Sequence, residues 1–331
     1  MFKKIILGLF LVGSLFANDF LSKKVELPYN VITMKAMFDK IYVTTDFGEV
    51  LEIQYNNDLS EITQSVLVKL PNISSFFDDS YPPKVFSIDS LDGKTFLINS
   101  EAQEGGKNLF LYDGALKKIF GSEDNLNIKK AAFVDKNTIF LGLVSNEVIL
   151  YDLKAKKNLY RIQLSEATFS DFWLSDDKKY FLVSCESGIM YFGDVKSGKV
   201  LVNLQGENKD NVYQANMYKN AKGDFVILTA GQDRHAGIYI LNKDLSAKSY
   251  SMKSSFLVYA VGLSKDGSRG AFMSDEKSQI TIFDVKSKKI LAKLNGHENL
   301  LNTIIFVDND KIISAEDGKN ILFWNLIKEQ K

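Results

Sequence analysis

The chain has 331 residues, of which 25% are charged, and this length suffices for one large domain or two of ordinary size. Its 4 prolines and the lack of any low-complexity tract argue against a disordered protein. The 41 basic residues balance the 41 acidic ones, which excludes a strongly basic protein of the nucleic-acid-binding type.

The N-terminal residues have the pattern of a secretory signal peptide. Lys3 and Lys4 precede an apolar run over residues 5–16, and the small residue Ala17 follows it. An uncleaved membrane anchor is the alternative, but this run is shorter than the roughly 20 residues that a spanning helix needs. We predict a signal peptide at residues 1–17 and export to the periplasm. The remaining chain has 39 basic residues (41 less Lys3 and Lys4) and 41 acidic ones.

From residue 31 onward, four sequence parts recur in the same order seven times. An apolar run is followed by a polar turn, by a β-branched and aromatic run that finishes on small residues, and by an alternating run that ends in Asp or Asn. From the second unit on, these ends are 39, 42, 48, 42 and 41 residues apart: Asp113, Asp152, Asp194, Asn242, Asp284 and Asn325.

Seven units of this length, each with about four short strands, predict an all-β fold, a seven-bladed β-propeller over residues 18–331. No sustained 3.6-residue apolar period lies between the strands, which argues against an α/β fold. A β-sandwich or a two-domain β protein would not explain the sevenfold recurrence.

The outermost strand of each blade is the most visible repeat. "DVKSGKVLVNLQG" (194–206) and "DVKSKKILAKLNG" (284–296) share eight of thirteen positions, and the alternation of apolar and polar residues is typical of a half-exposed edge strand. The last unit lacks this strand. "SKKVELP" (22–28) has the same pattern, so we predict that residues 22–28 complete the last blade and close the ring.

The final unit resembles a WD40 repeat. It has Gly296 and His297 before its first strand, and it ends its third strand with Trp324 and Asn325. The resemblance implies a WD40/YVTN-like propeller in which four residues form a buried hydrogen-bonded network; these would be His297, Ser314, Asp317 and Trp324. Asn325 stands where the family usually has Asp, and no other unit has the Gly-His pair.

Together with the export signal, the chain resembles the NapL family of WD40-like accessory proteins of periplasmic nitrate reductase. This resemblance implies an exported, non-catalytic protein that supports nitrate reductase. Its partners would be components of the periplasmic nitrate reductase system, and we expect the protein itself to be a monomer.

The residues that could carry catalysis are few. Two histidines and the single Cys185 cannot supply the ligands of a copper or haem site, so we expect no cofactor. A lactonase-like hydrolase with a divalent cation is an alternative, because acidic residues follow several second strands. Ordinary turn formation also explains those residues, which are Asp46, Glu101, Asp233, Asp275 and Asp317.

Uneven loops predict the binding surface. Residues 71–83 are inserted between the first two units, 206–211 form a corresponding connection, and 99–108 and 230–237 extend connections between second and third strands. We predict that these loops share one face of the ring and bind a partner. The candidate anchors are Phe76, Phe77 and Tyr81, unless their rings pack back on the rim. A sugar or peptide ligand in the central channel is a further alternative.

Overall fold

In the computed structural model, residues 20–327 form seven four-stranded antiparallel sheets arranged as a ring of blades. The expected all-β, seven-bladed propeller is confirmed. Within residues 20–327, no helix has both the length and the apolar character needed to span a bilayer. The signal peptide predicted at residues 1–17 lies outside the described residues.

The strands of the first blades follow chain order after β1 (Leu21–Glu26). Blade 1 consists of β2 (Val31–Met37), β3 (Lys40–Thr45), β4 (Glu49–Tyr55) and β5 (Ile62–Lys69). Blade 2 consists of β6 (Val85–Ser90), β7 (Phe96–Glu101), β8 (Lys107–Tyr112) and β9 (Leu116–Phe120). Blade 3 consists of β10 (Ile128–Phe133), β11 (Thr138–Leu143), β12 (Glu147–Asp152) and β13 (Lys157–Gln163).

The next three blades repeat this order, and the seventh combines the two ends of the chain. Blade 4 consists of β14 (Phe169–Leu174), β15 (Tyr180–Cys185), β16 (Met190–Asp194) and β17 (Val200–Leu204). Blade 5 consists of β18 (Val212–Lys219), β19 (Phe225–Gly231), β20 (His235–Leu241) and β21 (Ala247–Lys253). Blade 6 consists of β22 (Val261–Leu263), β23 (Arg269–Met273), β24 (Ile280–Asp284) and β25 (Ile290–Leu294). Blade 7 consists of β26 (Leu301–Phe306), β27 (Lys311–Glu316), β28 (Asn320–Asn325) and β1.

The second strand of each blade is apolar on both faces because each face packs against a different neighbouring blade. In β11, Ile139 and Leu141 contribute to the core shared with blade 2, whereas Phe140 contributes to the core shared with blade 4. Side chains alternate between the faces of a strand, so one uninterrupted apolar run supplies two cores. Seven apolar clusters result, one at each junction between neighbouring blades.

The ring closes through β1, which pairs antiparallel with β28, from Leu21 opposite Trp324 to Glu26 opposite Asn320. Sequence analysis placed this strand at residues 22–28; it begins one residue earlier and ends two residues earlier. Leu27 has left the strand, is buried in the core between blades 7 and 1, and donates its N–H to the carbonyl of Lys319 over 2.8 Å.

The first strands surround a central channel, and most of them contain an irregularity near their start. In six of the seven blades the pairing with the second strand shifts register there, as between Val31 and Thr33 or between Phe169 and Asp171. A bulge re-aims a side chain. The displaced residues Ile32 and Ser170 accordingly line the channel.

We expect removal of residues 18–28 to lower the unfolding temperature by roughly 10 °C or more, since β28 then becomes an open edge and the core around Leu27 is exposed. Thermal unfolding followed by circular dichroism measures the effect. The control is Lys23→Ser with Lys24→Ser, which changes two exposed side chains of β1 and keeps its backbone pairing. An unchanged unfolding temperature in the truncated protein would show that β1 does not hold the ring closed.

Candidate functional site

The longest connection between blades within residues 20–327 joins β5 to β6, and part of it forms a small hairpin. Ile73 and Tyr81 pair through both of their backbone N–H groups, each at 2.9 Å. Ser75 closes the tip by donating its N–H to the carbonyl of Asp78 over 2.8 Å. The hairpin is therefore held by its own backbone hydrogen bonds and projects from the ring.

Two phenylalanines occupy the tip of this hairpin. Phe76 is 86% exposed and Phe77 is 94% exposed. Their rings contact each other edge to face, with centroids 5.2 Å apart, and do not pack back on the rim. Tyr81 differs from them because it is half-buried at the base of the hairpin. Of the three predicted anchors, the structure presents Phe76 and Phe77 to solvent as one aromatic pair.

Neighbouring loops support the base of the hairpin on the same face of the ring. Gln103, in the connection between β7 and β8, donates its side-chain amide to Ser74 Oγ over 3.2 Å. Tyr29 and Phe47, in the connections before β2 and before β4, stack with ring centroids 4.0 Å apart. The two classes of connection predicted to share one face do meet at the Gln103–Ser74 contact.

The other loops predicted as binding segments are shorter or more closely held. Half of residues 99–108 and most of residues 230–237 lie in strands, so the connections are only residues 102–106 and 232–234. The sequence predicted longer connections because small and polar residues also occur at the ends of these strands. The 206–211 connection is fixed by the buried Asn208, whose amide donates to the carbonyl of His235 and to Asp233.

A buried hydrogen-bonded chain links three of the four residues suggested by the WD40 resemblance. Trp324 Nε1 donates to Ser314 Oγ over 2.8 Å, and Ser314 Oγ lies 2.7 Å from His297 Nε2. His297 Nδ1 lies 2.9 Å from Glu316 Oε2. A neutral histidine with its proton on Nδ1 satisfies every group in this chain, from the indole to the carboxylate.

The acid of this network is Glu316, and the expectation that Asp317 would supply it was wrong. Ser314 and Glu316 are two residues apart in β27, so their side chains leave the strand on the same side. Asp317 comes after the strand, is exposed, and uses its N–H to bond the carbonyl of Leu300. Burial alone would raise the pKa of Glu316, but hydrogen bonds from His297, from the Glu298 N–H and from Asn320 lower it to about 2.

The acidic residues considered for a cation site are not brought together. Each acts locally: Asp46 accepts from Asn30, Glu101 from the Lys84 N–H, Asp233 from the Lys209 N–H, and Asp275 from the Gln279 N–H. Among the described residues, no group of three His, Cys, Asp or Glu side chains has the arrangement of a metal site. These carboxylates bond polar groups of the connections next to them, at separate places around the ring.

The central channel has a volume of about 540 Å³ and a wall that mixes polar and aromatic side chains. On one side, Lys35 pairs with Asp89 at 2.5 Å, and Lys130 pairs with Asp171 at 2.7 Å. Both pairs connect first strands of neighbouring blades. On the opposite side, Gln214 Nε2 donates to the Asn302 carbonyl over 2.5 Å, which joins β18 to β26 past the short β22.

The pKa of Glu316 makes the stability of the ring pH-dependent. A carboxyl whose pKa falls on folding stabilises the protein above its unfolded value, near 4.5, and loses that effect as the pH falls towards about 2. We expect Glu316→Gln to lower the unfolding temperature by roughly 5 °C at about pH 7, and by clearly less at about pH 2.5.

Thermal unfolding of both proteins across this pH range measures the difference. Glu276→Gln, which alters an exposed carboxylate in a turn of blade 6, serves as the control and should show no such pH-dependent difference. A Glu316→Gln difference that stays constant down to about pH 2.5 would contradict the assignment of Glu316 as an ionised member of the network.

Comparison with known proteins identifies the fold. No protein-family model and no curated protein matches the sequence. The chain is similar to the crystal structure of the WD40 β-propeller domain of Doa1, with a TM-score of 0.67 and 13% identity over 93% of this chain and 97% of that one. It is also similar to the β-propeller domain of Cps50 (Swd1) from Myceliophteria thermophila, with a TM-score of 0.70 and 12% identity over 93% and 99% of the two chains. The protein thus has the seven-bladed β-propeller fold of WD40 proteins.

Proposed function

We propose that the protein is a non-catalytic interaction scaffold whose partner binds the hairpin tip at Phe76 and Phe77. One observation carries this proposal: two adjacent phenylalanines are almost fully exposed on a hydrogen-bonded hairpin of a rigid ring. Large exposed aromatic groups are unusual on a monomer surface unless they bind something.

The energetics of this tip suit recognition. Burying one phenylalanine side chain at an interface contributes about 1.5–3 kcal/mol, and aromatic residues are typical anchors of protein interfaces. The backbone pairing of Ile73 with Tyr81 already orders the hairpin. Little conformational freedom is therefore lost on binding, and more of the contact energy is available as affinity.

We propose further that the protein is exported to the periplasm and supports the nitrate reductase system there. The support for this step is the signal-peptide pattern at residues 1–17 and the likeness to the accessory protein NapL, both of which belong to the sequence. In this proposal the partner that receives Phe76 and Phe77 is a component of the periplasmic nitrate reductase.

The anchor proposal predicts that Phe76→Ser with Phe77→Ser weakens partner binding by a hundredfold or so, the effect of losing about 3 kcal/mol. Affinity is measured by surface plasmon resonance against purified periplasmic nitrate reductase. Ile290→Ser with Leu291→Ser is the matched control, because it removes two adjacent exposed apolar residues from the outer strand of blade 6. Equal affinities of the two double variants would eliminate the hairpin as the docking site.

The export proposal has its own test. Fractionation of cells that produce the full chain should place it in the periplasm without residues 1–17, and a chain that lacks this segment should stay in the cytoplasm. Mass spectrometry of the periplasmic protein locates the new N terminus. A full-length protein that stays in the cytoplasm would overturn both the export and the nitrate reductase assignment, while the hairpin could still bind another partner.

A further inference from the structure

The outer strand of blade 1, β5, differs from the other outer strands in length and charge. It has eight residues, and the seven residues 62–68 carry no charge. In β1, β9, β13, β21 and β25, no uncharged run is longer than four residues. β17 is uncharged but has only five residues, most of them half-buried. Charged side chains prevent an edge strand from pairing with another protein, so β5 is the least protected of the seven outer strands.

The hairpin of β4 and β5 determines which backbone groups of β5 face away from the blade. Asn56 donates its N–H to the carbonyl of Glu61 over 3.2 Å, so the Glu61 carbonyl faces β4. Backbone groups alternate in direction along a strand, and those of Thr63 and Ser65 therefore face β4 as well. The N–H and carbonyl groups of the three alternate residues face away from the blade: Ile62, Gln64 and Val66.

This outward edge is uncovered over residues 62–66 and ends at Leu67. The hydroxyl of Tyr112 in blade 2 donates to the Leu67 carbonyl over 3.2 Å, and the pairing with β4 shifts register after Val66. Before that point Ile62 is half-buried and the next four side chains are exposed, with Val66 at 54%. Residues 62–66 are thus a regular strand segment whose outer side is open to a further strand.

The sequence of this segment is complementary to itself. When two copies pair antiparallel about Gln64, Ile62 of each copy lies opposite Val66 of the other, and Thr63 lies opposite Ser65. The outward backbone groups then meet in register and form about six hydrogen bonds between the copies. The β-branched pairs lie on one face of the joined strands and the hydroxyl pairs on the other, and both kinds of pair stabilise a sheet.

The charges next to the segment favour the same antiparallel pairing. Lys69, at the end of β5, comes opposite the turn between β4 and β5 of the other copy, where Asp58 and Glu61 are exposed. Unlike charges therefore meet at both ends of the pairing. A parallel pairing in register would instead place Lys69 opposite Lys69, and like charges that face each other across strands are destabilising.

We propose that the occupant of this edge is a second copy of the chain, and that the two β5 strands pair antiparallel about Gln64. The two four-stranded sheets of blade 1 then form one continuous sheet of eight strands. The two-fold axis makes the contact isologous, so the assembly closes as a dimer, in place of the monomer expected from the sequence. The pairing does not involve Phe76 or Phe77 and is independent of the partner proposed for the hairpin.

Sedimentation velocity of the purified protein between about 1 and 100 µM measures the association. We expect a dimer at the upper end of this range, and dimerisation weakened about tenfold or more by Val66→Lys, which places a charge on the edge. The matched control is Ile290→Lys, which adds the same charge at an exposed apolar residue of β25 and should leave the dimer unchanged. Unfolding temperatures confirm that both variants are folded. A protein that stays monomeric, or a dimer that Val66→Lys does not weaken, would overturn the proposal.

A cysteine at the two-fold axis tests the register of the pairing. Two residues in a hydrogen-bonded antiparallel pair have Cα atoms about 5.5 Å apart, a distance that a disulfide can bridge. Gln64→Cys should therefore form a covalent dimer on mild oxidation, visible on a non-reducing gel, while the buried Cys185 stays free. The control is Ser249→Cys, at an exposed position of the outer strand β21. Absence of the Gln64→Cys dimer, or equal yields from the two variants, would refute pairing about Gln64.

Discussion

The pairing of β1 with β28 is the constraint on which the rest of the structure depends. Each apolar cluster lies between two blades, so an open ring exposes two apolar faces at once. The junction of blades 7 and 1 is reinforced beyond the strand pairing. Leu27 and Val31 bond the backbone of the turn before β28, and the Asn302 side chain reaches the carbonyl of Val31. The first described strand and the last thus fix each other.

The sequence was sufficient to predict this architecture because its signals are local and repeated. An apolar run indicates an inner strand, a polar turn indicates the end of a strand, and an alternating run indicates an edge strand. The sevenfold recurrence of these patterns specifies the ring. The missing edge strand after Asn325 indicated the contribution of residues 22–28. The exact strand ends were less predictable: Leu27 leaves β1 because its N–H bonds Lys319 in a turn that is distant in sequence.

The network in blade 7 shows how a resemblance can select the wrong residue. Residue type favoured Asp317, but the pleat of β27 places Glu316 on the side of Ser314. The alternation rule that identified the strands therefore also contained the information needed to choose the glutamate.

The channel wall could not be predicted in the same way. Its wall combines residues from seven distant segments, and six register shifts change which side chains face inward, so no local pattern could predict the pairing of Lys35 with Asp89.

The sequence left open whether Phe76 and Phe77 bind a partner or pack back on the rim, and the structure shows both side chains exposed. The Ile73–Tyr81 pairing and the turn from Ser75 to Asp78 fix the hairpin, and at its tip the two rings contact each other. In this ring, nearly all apolar side chains of the inner strands are buried in the cores at the blade junctions. The longest interruption of the repeat within residues 20–327 is the inserted hairpin, whose tip carries Phe76 and Phe77, the most exposed large apolar side chains of these residues. A closed ring therefore keeps the inserted hairpin apart from the interactions that hold the blades together, and the hairpin can vary without loss of the fold.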